Sequence, residues 1–222
     1  MKPARWASEV SRGSAAELHG REVGAGDERP GRAVWWLTAA WPALVLGSSQ
    51  RPDVVDERAV AEAGVELVRR RSGGGAVLLV PGEVSWVDVV LPAGDRLWDA
   101  DVGRAAHWLG AVWERVAASF GVQGAEVHRG AMVRTPWSSL VCFAGLGPGE
   151  VQVAGRKLVG ISQRRTRGWA RFQCAVYRRW DPAALVGLLR SPRPTVEELA
   201  GTVATLDVPD ADLRAAFLAA LP

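Results

Sequence analysis

Three consecutive glycines, Gly73 to Gly75, interrupt the chain inside the run VRRRSGGGAV, Val68 to Val77. Without Cβ atoms, such a stretch can turn several backbone N–H groups inward and bring them close to a ligand. The flanking runs, Val65 to Arg70 and Ala76 to Val80, are short, branched and apolar, and both read as strands. A glycine loop between two strands is neither the P-loop, which needs Gly-Lys-Ser/Thr, nor the dinucleotide fingerprint, which opens a helix. The feature points to a sheet-based fold with an anion-tolerant loop, to which Arg69, Arg70 and Arg71 add positive charge. From these ten residues alone, a glycine-rich hairpin with solvated arginines is an equal reading.

The rest of the chain fits a sheet-based fold. Short strand-like blocks recur at Ala33 to Ala40, Ala43 to Leu46, Val84 to Leu91, Glu126 to Arg129, Val151 to Val153, Leu158 to Ser162 and Arg171 to Tyr177. Ala154-Gly155-Arg156 suits a tight hairpin turn and puts Lys157 at the mouth of the strand that follows. Helical spacing covers Asp101 to Phe120, where Val102, Ala105, Ala106, Leu109, Val112, Trp113, Val116 and Phe120 recur every three or four residues, with Asp99 or Asp101 as cap. Shorter helices are expected over Asp53 to Ala63, ending at Gly64, at Asp181-Pro182, at Thr195 with Glu198 as a capping box, and from Asp210. The expected class is α/β in the α+β sense: mixed, mainly antiparallel sheets flanked by helices. In domain terms, residues 1–32 are expected to be a flexible segment with at most a short helix near Ser14 to Leu18, 33–192 the main domain and 193–222 a small helical appendage.

A chain of 222 residues with 48% hydrophobic content can bury a substantial core. No stretch approaches eighteen consecutive apolar residues, and Met1 to Gly20 lacks the apolar run of a signal peptide, so a cytoplasmic protein that does not enter a membrane is expected. Cys142 and Cys174 are too few for a disulfide framework, and no Cys/His spacing resembles a zinc site. The net charge is only +3, which does not imply nucleic-acid binding. Of the 27 basic residues only Lys2 and Lys157 are lysines. A compact ammonium kept at position 157 against an arginine bias suggests chemistry that a planar guanidinium cannot supply.

The loop RRRSGGGAV and the segment GRKLVGISQRR, Gly155 to Arg165, together resemble the lipoate-protein ligase A and octanoyltransferase family, the biotin/lipoate ligase catalytic superfamily. A weaker match is LVLGSSQ, Leu44 to Gln50, and the likeness spans roughly Ala33 to Leu189. The resemblance implies that the glycine loop lines an acyl and nucleotide pocket and that an acyl group is placed on a lysine of a lipoyl domain. In that role Lys157 would contact the acyl carbonyl and a phosphate, where a fixed cation stabilises developing negative charge. Arg70 matches the family arginine near the phosphate. Ser72, Gly73, Gly74, Gly75, Ala76 and Val77 would bind substrate or nucleotide, joined by Gly160 and Ser162 of the lysine segment. The implied substrates are lipoate or octanoate with ATP and magnesium. The implied partners are lipoyl domains of 2-oxoacid dehydrogenase complexes or the glycine cleavage H protein.

The sequence departs from the family pattern at two places and adds a group at a third. Leu78, Leu79 and Val80 follow the glycine loop where most ligases carry an aromatic or histidine and an aspartate, and Gln173-Cys174 stands where many relatives carry histidine and a small residue. Cys142 stands fifteen positions ahead of Lys157, similar to the nucleophilic cysteine of one octanoyltransferase branch, in which the acyl group passes from acyl carrier protein through a thioester without ATP. Cations beside such a cysteine meet the electrostatic condition for a thiolate nucleophile, whereas a cysteine between Val141 and Phe143 also suits a small buried hydrophobe. Three functions follow: acyl-adenylate ligation, thioester transfer through Cys142, or acyl and partner binding without catalysis. His19, His107 and His128 read as solvated or structural. Arg164, Arg165, Arg167 and Arg171 with Trp169 read as a solvated basic-aromatic cluster or a surface for an acidic lipoyl domain.

Overall fold

The structure is a computed structural model that describes residues 6–24 and 31–222. Ten strands and six helices are formed: β1 Ala7–Gly13, α1 Ala15–Gly20, β2 Ala33–Ala39, β3 Ala43–Leu46, α2 Glu57–Glu62, β4 Glu66–Arg69, β5 Val77–Leu79, β6 Val84–Pro92, α3 His107–Ser119, β7 Ala125–Val127, β8 Val151–Val153, β9 Arg156–Arg165, β10 Trp169–Tyr177, α4 Pro182–Gly187, α5 Val196–Ala200 and α6 Asp210–Ala220. Seven strands build a large mixed sheet in the order β1-β2-β6-β10-β9-β8-β7, and three build a small sheet in the order β4-β3-β5. Within the large sheet β1 runs parallel to β2 and the remaining pairs are antiparallel. The mixed α+β class expected from the sequence is the one observed.

Alternation along the strands builds the layers. Val34 and Trp36 of β2 face a core completed by Trp113 of α3 and Phe217 of α6. Trp35 and Leu37 face the opposite way, toward Val45, Val77 and Leu79 of the small sheet. The other face of the small sheet, Leu44, Leu46 and Leu78, is covered by Leu185, Leu189 and Leu199. Helices thus close both outer faces, and the two sheets meet face to face across the middle core.

Three expectations change. Residues 7–20 are not flexible: β1 extends the large sheet beside β2, and Ser14 and Glu17 form a capping box that starts α1, burying Ala15 and Leu18. The expected flexible run Gly24 to Gly31 lies largely outside the described residues. Residues 193–222 are not an appendage, because Leu199, Leu213 and Phe217 are fully buried and Lys157 pairs its backbone with Thr202 and Ala204. The long helix begins at His107 rather than Asp101. Asp101 accepts the Gly103 amide on its side chain and the Arg104 and Ala105 amides on its carbonyl, holding a turn where the helical spacing had already begun.

Candidate active site

The glycine loop joins β4 and β5, the two edges of the small sheet, and crosses the end of β3 between them. Its shape is held from inside by Arg70, which is buried. The guanidinium donates to the carbonyls of Val45 at 3.2 Å, Gly73 at 2.7 Å and Gly75 at 2.9 Å, and burial pulls its pKa below the usual arginine range. The residue expected beside a phosphate is therefore spent on fixing the loop. Gly74 takes φ +100°, and a Cβ on it would come within 2.8 Å of Arg70 and 3.6 Å of the Cys142 sulfur. Gly75 lies tighter still: its Cβ would be 2.6 Å from the Val141 carbonyl carbon and 2.7 Å from the Cys142 nitrogen. Only glycine lets these two segments meet.

Contact with the Cys142 segment continues at Ala76, whose amide donates to Leu140 O at 2.8 Å and whose carbonyl accepts from Cys142 N at 3.0 Å. Cys142 opens a single 3-10 turn, Cys142–Ala144, and is half-buried. It lines a narrow cavity of about 40 Å³ with Val45, Val77, Leu79, Trp86 and Ala175. Arg70, Gly160 and Ser162 reach the same cavity. Gly160 belongs there because a Cβ on it would press at 3.0 Å on the Phe143 ring. Ser72 reaches the floor, with its hydroxyl 2.9 Å from Ser162 Oγ and donating to Gln173 Oε1 at 2.7 Å. Sequence-expected residues from the loop, from the Cys142 segment and from β9 are thus brought together. Cys174 is fully buried, and burial pushes its thiol pKa well up, which leaves Cys142 as the more accessible of the two cysteines.

Lys157 stands differently from the expectation. It is buried beside Phe143, whose ring centroid lies 5.3 Å from Nζ, and it borders a second, wider cleft rather than the apolar cavity. Nζ donates to the backbone carbonyl of Cys142 at 2.7 Å and pairs with Glu150 Oε2 at 2.7 Å. The Glu150 carboxylate also accepts the amides of Gly147 and Ile161. Sequence reading missed Glu150, although it is the sole charged residue between Leu140 and Val153 and that isolation was a usable signal.

A second network was also missed. Asp88 is fully buried and accepts from Arg171, Trp86 and Gln173. Burial pushes its carboxyl pKa up, against the pull of the Arg171 guanidinium. Arg171, expected in a solvated cluster, is thus internal, and it also donates to the carbonyls of Leu18, His19 and Arg21. His19, expected to be solvated or structural, lines the cavity, with Nδ1 3.0 Å from Gln173 Nε2 and its ring stacked on Trp86 at 4.3 Å. Burial, then Arg171 and Arg70, depress the imidazole pKa to about 3, so it is neutral near pH 7. No local signal marked His19, because its partner is 154 residues away. His107 starts α3, and His128 Nε2 bonds to Ala131 O; neither reaches the cavity.

Two stacked sheets thus carry a glycine loop held against a half-buried thiol, with an apolar cavity beneath them. The chain belongs to the lipoyl protein ligase A/B catalytic domain family, whose model matches residues 22–208. It is 30% identical over 164 residues to the octanoyltransferase LipM of Kyrpidia tusciae, covering 71% of this chain and 58% of that protein. A lipoate-protein ligase A structure bound with ATP superposes with a TM-score of 0.70 at 17% identity, covering 98% of this chain and 83% of its own. A bipartite lipoate protein ligase from Thermoplasma acidophilum, studied with its E2 lipoyl domain, gives 0.69 at 17% identity, covering 98% and 81%. These two likenesses establish the fold. Among the described residues no helix is long and apolar enough to cross a membrane.

Proposed function

We propose that this chain transfers an octanoyl or lipoyl group to a lysine of a lipoyl domain through a thioester on Cys142. The observation that carries the reading is the half-buried Cys142 thiol, which lines an apolar cavity against the glycine loop. The adenylate route expected first from the sequence asks for free cations at the phosphate. Here Arg70 holds loop carbonyls and Lys157 is compensated by Glu150, so neither charge is free for an anion. Among the described residues, no three His, Cys, Asp or Glu side chains converge as a set that could hold a metal ion.

In this reading the acyl donor is a thioester such as octanoylated acyl carrier protein. The Cys142 thiolate attacks the carbonyl carbon, a new C–S bond forms, and the carrier leaves as its thiolate. The acceptor, a lipoyl domain or the glycine cleavage H protein, then presents an uncharged lysine amine. A C–N bond forms, the C–S bond to Cys142 breaks, and the amine proton passes to the departing sulfur or to solvent. Lys157 serves as a positioning residue, because its ammonium clamps the Cys142 carbonyl and fixes the turn that carries the thiol. The apolar wall of Val45, Val77, Leu79 and Ala175 takes the hydrocarbon chain, whose burial supplies about 0.8 kcal/mol per methylene.

Intact-mass measurement after incubation with octanoylated acyl carrier protein tests the reading. The protein gains one acyl group and Cys142→Ala gains none. An unmodified wild-type mass overturns the thioester route, as does lipoate-dependent exchange of pyrophosphate into ATP that survives in Cys142→Ala.

A further inference from the structure

The cavity has one wall contributed from far outside the glycine-loop motif, and that wall carries an unsatisfied donor. Asp88 accepts from Arg171 and Trp86, so the side-chain atom of Gln173 that faces it, at 3.3 Å, is the amide nitrogen. The amide oxygen of Gln173 then faces Ser72, whose hydroxyl donates to it. The same amide nitrogen meets His19 Nδ1 at 3.0 Å, and because an amide N–H donates, Nδ1 accepts. In a neutral imidazole the proton then sits on Nε2. That atom is buried and has no hydrogen-bond partner among the described residues. Of the other polar side chains of the cavity wall, Ser162 bonds with Ser72, Gln173 bonds with Ser72, Asp88 and His19, and Arg70 is engaged through both terminal nitrogens, its Nε alone lacking a partner.

His19 and Cys142 stand on opposite walls. Phe143, next to Cys142, lies over Gly160 of β9, whereas His19 stacks on Trp86 of β6, and β10 runs between those strands. Two strand spacings separate the walls, roughly 10 Å. An extended eight-carbon chain attached at Cys142 and lying over Ala175 bridges that gap, which brings its far end to His19. A saturated octanoyl chain ends there in a methyl group and leaves the Nε2–H unmade. An acyl chain bearing sulfur or oxygen at its far end offers the acceptor.

We propose that His19 is a specificity-determining residue of the acyl cavity, donating from Nε2 to an acceptor atom at the distal end of the acyl chain and favouring dithiolane-bearing lipoyl over octanoyl. The assignment rests on the acyl-transfer reading above and names its preferred acyl class.

The test is calorimetric titration of the whole protein with lipoic acid, 8-hydroxyoctanoic acid and octanoic acid, on wild type, His19→Phe and His19→Gln. Phenylalanine keeps the stack on Trp86 and removes the donor. Glutamine restores an N–H at similar reach. The lipoic-to-octanoic affinity ratio, and the hydroxyoctanoic-to-octanoic ratio with it, is expected to fall about tenfold in His19→Phe, the worth of one neutral hydrogen bond, and to recover in His19→Gln. Equal ratios in wild type and His19→Phe, with all three acids bound, overturn the role of His19 and leave the transfer reading intact. Failure of wild type to bind any of the three acids overturns the acyl cavity itself and this assignment with it. If His19→Phe does not fold, the ratios in His19→Gln and in Gln173→Leu, which removes the amide that sets the tautomer, decide: unchanged ratios in Gln173→Leu overturn the role and a fall supports it.

Discussion

Replacing Glu150 by glutamine removes one charge from a nearly buried pair. Lys157 and Glu150 side chains are 3% and 6% exposed, with Nζ 2.7 Å from Oε2. The carboxylate accepts three hydrogen bonds, from Lys157 and Gly147 on one oxygen and from Ile161 on the other. A glutamine keeps a single acceptor oxygen. Whichever way its amide turns, an NH₂ group faces at least one buried donor, and the ammonium loses its counter-charge. Removing one partner of a buried pair costs about 3–5 kcal/mol, because the other charge stays desolvated. For a domain of this size each kcal/mol lowers Tm by about 2–4 °C, so Glu150→Gln is expected to melt about 6–20 °C below wild type. Adding Lys157→Met removes the stranded ammonium. The double variant should therefore be more stable than the sum of the single effects predicts, by about 1–3 kcal/mol. Urea unfolding of the four proteins at pH 7 measures the cycle. Additive free energies, or a Glu150→Gln protein within about 1 kcal/mol of wild type, would show that the pair is hydrated and that Lys157 does not depend on Glu150.

Two further outcomes follow from the same geometry. Gly75→Ala drives a methyl group into the backbone at Val141 and Cys142, so it should lose about 1–3 kcal/mol and form the Cys142 acyl adduct at least about tenfold more slowly, whereas Gly73→Ala, which meets open space, stays within about 0.5 kcal/mol. Urea midpoints and time-resolved intact mass on both variants check this. His19 is neutral in the folded state down to about pH 3, while in the unfolded chain it protonates near its ordinary 6.5. The unfolded state binds the extra proton between those values, so this group's contribution is full above pH 6.5 and is lost as pH falls, at up to about 1.4 kcal/mol per pH unit. Unfolding free energies measured from pH 7 to pH 5 should thus fall more steeply for wild type than for His19→Phe; parallel profiles would refute the burial of this ring.

The elements that sequence reading placed well are those specified by neighbours along the chain. Thr195 with Glu198 forms its capping box, and Asp181 caps the helix that begins at Pro182. Ala154 and Gly155 take φ of 49° and 77° and make the tight turn between β8 and β9. The glycine loop and the short apolar blocks around it were legible for the same reason. The expected start of the long helix failed for a local reason of opposite sign, since the turn chemistry of Asp101 and Gly103 overrode a helical period.

What the sequence by itself determined is therefore the mixed architecture, the loop, and the candidate groups Cys142, Lys157 and Arg70. Tertiary structure decided what each of those groups is free to do. Arg70 became a brace because the carbonyls of Val45, Gly73 and Gly75 converge on it, and Lys157 became a clamp because Glu150 is folded against it. His19 entered the cavity because β1, invisible as a strand from its polar composition, pairs with β2 and delivers α1 to the floor of the site. Hydrogen-bonding capacity and burial are properties of surroundings assembled from distant segments, and periodicity along the chain carries no record of them.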